Sequence, residues 1–280
     1  MRKLIKDMAL CGCVGLGHLY RPKGIPILVY HSIDNSHSDI SIPPEIFVKQ
    51  MNYLKREGFQ VISLNQLMLF VSSGREVFEK ILVLTFDDGL KNFYEAAWPI
   101  LNRFGFSATL FVPTDYIGQT SSWYTDYGLK PFPMLGWDEL RELTGKGIDV
   151  QSHGCSHQKL PSLTLSMVQR ELRESKDVLE RGLGRPTDFF CYPFGEVSSM
   201  VLEEVKHAGY RGATGMGQGC YRVGDDPYLM KRESLDYISI TDERTASLSI
   251  KACTQGTFAW YVRAKRRLKT LCPLYLSSDL

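Results

Sequence analysis

A chain of 280 residues, 44% of them hydrophobic, is long enough to bury one large core. A formal net charge of +2 argues against a binder that works by neutralising many phosphates, so no nucleic-acid partner is expected. Seven cysteines, an odd set without structural-zinc spacing, argue against a disulfide framework and suit a reducing compartment.

The chain starts MRKLIKDMALCGCVGLGHLYRPKG, basic and then briefly apolar from Met8 to Leu16. Asp7 precedes that run and no clear small-x-small site follows it, so the stretch falls short of a secretion signal. Strand candidates and helix candidates then alternate. In order they are PILVY (26–30), a helix over 45–58, ILVLTF (81–86), a helix over 90–105, ATLFV (108–112) and a helix over 137–147. IDVQS (148–152), a helix over 164–184, FFCY (189–192), a helix over 198–209 and RGATG (211–215) complete the series. Several helices run out at glycine, and Ser162 or Thr164 is placed to cap the longest.

Such alternation predicts an α/β fold of parallel strands covered by helices, as an open sheet or a barrel, in one domain. Functional residues then gather where strands end. A core domain is expected over 25–240, with 1–24 and 241–280 peripheral. The C-terminal FAWYVRAKRRLKTLCPLYL mixes aromatic and basic residues, and with the basic N-terminus it fits a peripheral contact with an anionic membrane. No stretch approaches the ~20 apolar residues of a spanning helix. Cysteine usage and basic ends favour the cytoplasmic side or the membrane surface over secretion or the periplasm.

In LTFDDG the apolar run ends in Asp87 and Asp88, and Gly89 allows a tight turn. A helix cap plus a solvated aspartate is the plainer reading. Two carboxylates side by side, however, resist both being ionised unless a cation lies close. SHGCSH, after the next-but-one strand, places His153 and His157 four apart. With one carboxylate they make a three-ligand site for zinc or a similar divalent ion, leaving positions for water and substrate. Cys155 between them is a possible soft ligand, though a packed thiol explains it more simply. Two histidines and a carboxylate also form the facial triad of non-haem iron oxygenases, but a spare aspartate beside the ligand favours hydrolysis.

LTFDDG, SHGCSH and FFCYPFG, in that order, resemble the three leading motifs of the polysaccharide deacetylases, the NodB-homology or carbohydrate esterase four family. The resemblance implies a distorted (β/α) barrel of about seven parallel strands that removes acetyl groups from sugars. By position it implies Asp87 as general base and Asp88, His153 and His157 as ligands of a divalent metal: Zn2+, or Co2+, Ni2+ or Mn2+. Tyr192, Pro193 and Phe194 of the third motif would meet substrate, with the Phe194 N–H holding the oxyanion. Tyr30, Tyr192, Phe194 and Trp137 are candidate sugar-stacking walls, with core packing as the alternative.

Two departures stand out. Where many members carry an arginine that orients the catalytic aspartate, this chain has Cys191; Arg232 in LMKRESL, grouped with the substrate-binding residues, is the candidate replacement, with a surface salt bridge as the alternative. The late leaving-group histidine is also absent. His31 in ILVYHSID resembles the early histidine of the poly-N-acetylglucosamine deacetylase branch, which implies a general acid there. The leading expectation is therefore an N-deacetylase of N-acetylhexosamine units in a polysaccharide or lipid-linked glycan. An O-acetyl or small-amide hydrolase, and a catalytically weak carbohydrate-binding protein, are the competing readings.

Overall fold

In a computed structural model the chain is described at residues 11–12, 14–15, 24–73, 80–215, 217, 219–235 and 243–257. The sheet begins with β1 (Ile27–Tyr30), followed by a small separate pair, β2 (Ser32–Ile33) and β3 (Ser41–Ile42). Helix α1 (Pro44–Arg56), β4 (Gln60–Val61) and α2 (Leu64–Ser72) lead to β5 (Ile81–Phe86). A π-helical turn, Phe93–Ala97, runs into α3 (Trp98–Phe104). Then come β6 (Thr109–Val112), α4 (Trp137–Gly145), β7 (Asp149–Ser152) and α5 (Leu165–Leu183). The chain continues through β8 (Phe189–Cys191), α6 (Ser199–His207), β9 (Gly212–Thr214), β10 (Glu233–Ser234) and α7 (Glu243–Thr254).

The main path of seven strands is β10-β1-β5-β6-β7-β8-β9, every neighbouring pair parallel, with β4 added beside the start of β5. The two ends of that path approach each other. Thr214 forms a parallel bridge to Met230, whose N–H donates to Ala213 O at 3.0 Å just before the chain enters β10. The sheet is thus a distorted, incompletely closed (β/α) barrel in a single domain, as expected.

Strand parity sorts the side chains, because successive residues point to opposite faces. Leu82, Leu84 and Phe86 of β5, with Leu110 and Val112 of β6, join the outer core between sheet and helices. Phe190 and Tyr192 lie in a second outer cluster under α5 and α6. Ile27, Val83, Phe111, Phe189 and Cys191 form the barrel interior. Both faces being buried, the strands read as continuous apolar runs rather than alternating ones.

Thr164 caps α5, its side chain accepting the Met167 N–H, and left-handed Gly184 ends it. Helix α2 escapes the periodicity reading because it is short and apolar; a capping box between Ser63 and Gln66 starts it. One expectation needs correction. Residues 243–257 are not peripheral: Ile250, Ala252 and Cys253 enter the main core, with α7 packed on α1. Residues 258–280 and most of 1–24, including the basic ends, lie outside the described residues.

Trp137 is a packing residue rather than a sugar platform, since α4 crosses α5 at Gly182. A Cβ built on Gly182 would come within 2.0 Å of the Trp137 ring. Gly182→Ala is expected to destabilise the protein by about 1–3 kcal/mol through overpacking, although alanine would favour an open helix by roughly 1 kcal/mol. Urea unfolding measures this, and an unchanged or higher midpoint would refute the packing assignment.

Candidate active site

The barrel parity that buries Val83 carries on through Thr85 to Asp87, so the first aspartate also points inward. Arg232, on the segment entering β10, meets it there. Its Nη1 and Nη2 each donate to a different Asp87 oxygen at 2.7 Å. The same guanidinium donates to Thr85 Oγ1 at 3.2 Å, to Gly215 O at 3.3 Å and to Cys191 Sγ at 3.2 Å. The Cys191 S–H lies 3.5 Å from Asp87 Oδ2, as a weak donor. Burial alone would raise the Asp87 pKa, but the charge and hydrogen bonds of Arg232 outweigh it and hold the carboxyl below its usual range. Burial pushes the Cys191 thiol up, so it stays protonated.

Asp88 turns out of the strand at φ 71°, a left-handed conformation that β5 and the turn at Gly89 impose. Its Oδ1 lies 3.4 Å from His153 Nε2 and 3.1 Å from His157 Nε2, yet is buried with no hydrogen bond in good geometry. Its Oδ2 accepts from the Tyr124 hydroxyl. His153 Nδ1 is 2.8 Å from Cys191 O; a carbonyl only accepts, so Nδ1 carries a proton and Nε2 is the ring nitrogen turned toward Asp88. Despite burial, Asp88 sits well below the usual carboxylate range because both imidazoles favour its charge. For His157 burial wins and lowers the pKa, favouring the neutral, ligating form.

One donor atom from each of Asp88, His153 and His157 lies within 4.8 Å of the others. An orphaned buried carboxylate oxygen faced by two imidazole nitrogens fits a small divalent cation. Asp87, His153 and Cys191 form a second such group. Arg232 already engages Asp87 and Cys191 within it, so the Asp88 group is the better cation site.

His31, just beyond β1, has Nε2 4.0 Å from Asp87 Oδ2, and its side chain is 20% exposed against 4% for Asp87. The third motif divides. The Tyr192 ring is buried in the outer core with its hydroxyl donating to Tyr228 O at 3.1 Å, so it does not form a sugar-stacking wall. Tyr30 is likewise a core residue, its hydroxyl donating to Gln50 Oε1 at 3.2 Å. Buried Pro193 starts a tight turn in which Phe194 adopts φ 59° and packs edge-on against His157, ring centres 4.9 Å apart.

A cleft of about 580 Å3 opens beside His157, lined among others by Tyr116, Trp123, Tyr127, Lys159 and Phe194. Trp123 stacks on His157 at 4.6 Å. Sequence reasoning missed Trp123 and Tyr124; the only signal was an aromatic-dense run, WYTDY, in a long connection after β6.

A buried donor set that fits a divalent ion, beside a separately held aspartate at the strand ends of a (β/α) barrel, is consistent with metal-dependent hydrolase chemistry. The polysaccharide deacetylase family model matches residues 74–213. Bacillus subtilis YxkH is 28% identical over 210 residues, 72% of this chain and 71% of that protein. A Staphylococcus aureus poly-β-1,6-N-acetyl-D-glucosamine N-deacetylase is 21% identical over 215 residues, 73% of this chain and 71% of that one. The structure of Streptococcus pyogenes deacetylase PplD in complex with acetate superposes with TM-score 0.67 at 25% identity, covering 76% of this chain and 93% of that chain. The chain belongs to the polysaccharide deacetylase family.

Arg232→Met would leave Asp87 buried and unpaired, and is expected to destabilise the fold by about 3–5 kcal/mol at neutral pH. In the parent chain the depressed pKa of Asp87 adds stability above the unfolded carboxylate range, lost as pH falls through the folded value. In the variant burial raises that pKa, so acid relieves the buried charge. The difference in unfolding free energy between the two should narrow from about pH 7 to about pH 4. A difference that is constant or grows on acidification would contradict the pairing.

Proposed function

We propose that the chain removes N-acetyl groups from N-acetylhexosamine units of a polysaccharide or lipid-linked glycan, with Asp87 as the general base and His31 as the general acid. The observation that carries this reading is the division of labour between adjacent aspartates. Asp88 faces two imidazole nitrogens, whereas Asp87 is held by Arg232 and stays apart from that donor set. A divalent ion held by Asp88, His153 and His157, with zinc proposed ahead of cobalt, nickel or manganese, supplies Lewis acidity toward an acyl carbonyl and water.

The chain's own residues do the rest. Arg232 keeps Asp87 ionised and fixes its plane, so the carboxylate is ready to take a proton from the attacking water. His31, within 4.0 Å of Asp87 and more exposed, is set to protonate the departing amine. The turn at Pro193 presents the proposed oxyanion donor, the Phe194 N–H, while Trp123, Tyr127 and Phe194 offer aromatic surface to a pyranose.

The S. aureus relative's name specifies N-acetylglucosamine, and the PplD structure contains acetate, the acid that deacetylation releases. The first supports an N-acetylated glycan as substrate, and the second supports removal of an acetyl group. The basic ends of the chain support a membrane-surface setting for it.

Acetate release from β-1,6-linked N-acetylglucosamine oligomers tests the reading. Zinc-loaded protein should release acetate and chelated protein should not. Asp87→Asn should lower kcat by about 10²–10⁴-fold with zinc content unchanged, and His31→Ala by a similar factor, with the loss concentrated on amide rather than activated ester substrates. Release from O-acetyl esters alone would move the assignment to an esterase. Undiminished turnover in Asp87→Asn would remove Asp87 from the base role.

A further inference from the structure

The stretch joining the two imidazoles contains Gly154 at φ 79° and ends at His157 at φ 53°. Two left-handed residues in five do not hold a loop open by themselves. Its conformation is fixed from outside, on both sides. The N–H groups of Thr114 and Asp115 donate to Gly154 O and Cys155 O, each at 3.0 Å. From the other side α5 projects Glu171 against it. Glu171 Oε2 accepts the N–H of Cys155 at 2.7 Å and that of Ser156 at 3.0 Å, and Oε1 accepts the Ser156 hydroxyl.

Glu171 is 5% exposed and, among the described residues, makes no ion pair. Burying a carboxylate without a cation carries a penalty of several kcal/mol unless its lone pairs are satisfied. Here the hydrogen-bond donors that satisfy them come from the loop between the metal-ligating candidates. If the loop left this conformation, a bare anion would remain in the interior, so carboxylate and loop hold each other in place. Gly154 is part of the fit: a Cβ there would lie 3.0 Å from Glu171 Oε2.

We propose that Glu171 is a positioning residue for the metal, acting through residues 154–156 to aim His153 and His157 at Asp88. This rests on reading Asp88, His153 and His157 as the metal site. Its readout is metal affinity, not turnover.

The experiment measures the Zn2+ dissociation constant of the full chain by competition with a chromophoric chelator, alongside thermal unfolding of the chelated protein. Glu171→Ala should weaken Zn2+ binding by about 10–100-fold, the range seen when partners of metal ligands are removed. Glu171→Gln should restore most of it, because an amide oxygen still accepts both N–H groups and the amide NH2 can donate to Ser156 Oγ. Ser156→Ala deletes one hydrogen bond of three and should fall between. It keeps the test alive should Glu171→Ala fail to fold. Leu179→Ala, a buried change on the same helix, should lower thermal stability while leaving Zn2+ affinity within about twofold, as for independent sites. Unchanged affinity in both Glu171→Ala and Ser156→Ala overturns the proposal, as does an equal loss in Leu179→Ala or no recovery in Glu171→Gln. Parent protein that binds no Zn2+ would instead refute the metal reading on which the proposal stands.

Discussion

Two adjacent carboxylates, Asp87 at 4% exposure and Asp88 at 2%, are buried side by side at the end of β5. Neither could stay ionised there unaided, and both do by different means. Asp87 has an internal cation, with Arg232 supplying a two-pronged ion pair from the segment that also bridges β9 and leads into β10. Closing the barrel and charging the aspartate are therefore one interaction. Asp88 has no such partner among the described residues. It is surrounded by two imidazoles and a phenol, an arrangement that fits a divalent ion from outside the chain.

The backbone shows the same constraint. Five described non-glycine residues have positive φ, and three of them, Asp88, His157 and Phe194, surround the site. A left-handed conformation costs a side-chain-bearing residue roughly 1–2 kcal/mol. Glycine would relieve the strain and lose the ligand, since Asp88 and His157 must place a functional group at the turn itself. The surrounding ladder holds the strain. Asp87 N–H donates to Tyr30 O at 3.0 Å and His153 N–H to Val112 O at 3.0 Å, which tie the strand ends to their neighbours immediately before the left-handed turns at Asp88 and Gly154.

Much of this was legible in the sequence, for identifiable reasons. The six apolar runs became β1, β5, β6, β7, β8 and β9, because strands buried on both faces carry a continuous signal. DDG and SHGCSH stood out because their residue types have few other reasons to follow buried strands. What escaped the reading depends on contacts distant in sequence. Strand β10 is two residues, Glu233 and Ser234, with no apolar run to announce it. Tyr124 reaches Asp88 across 36 positions, so only the folded barrel pairs them, whereas the pairing of Arg232 with Asp87 across 145 positions was expected from the gap that Cys191 leaves in the third motif. Tyr192 shows the opposite limit: parity within FFCYPFG turns its ring into the helical layer, whatever the motif around it suggests.

Cys191 draws these threads together. Many members of the family have an arginine there, and its absence, with that of the late histidine, is what suggests a binding protein with weak turnover. In the folded chain the Cys191 side chain points inward beside Asp87, and its sulfur accepts from Arg232 Nη2 at 3.2 Å. A second arginine at that position would set two cations on one carboxylate, with a guanidinium forced into space the first already occupies. The small thiol is what lets the guanidinium arrive from the β10 side instead. Loss of the motif residue and gain of Arg232 are thus complementary, and the aspartate keeps a charge-assisted, two-pronged partner from the opposite direction. The departure relocates the positive charge without removing it, so the missing motif arginine is no argument for a catalytically silent site.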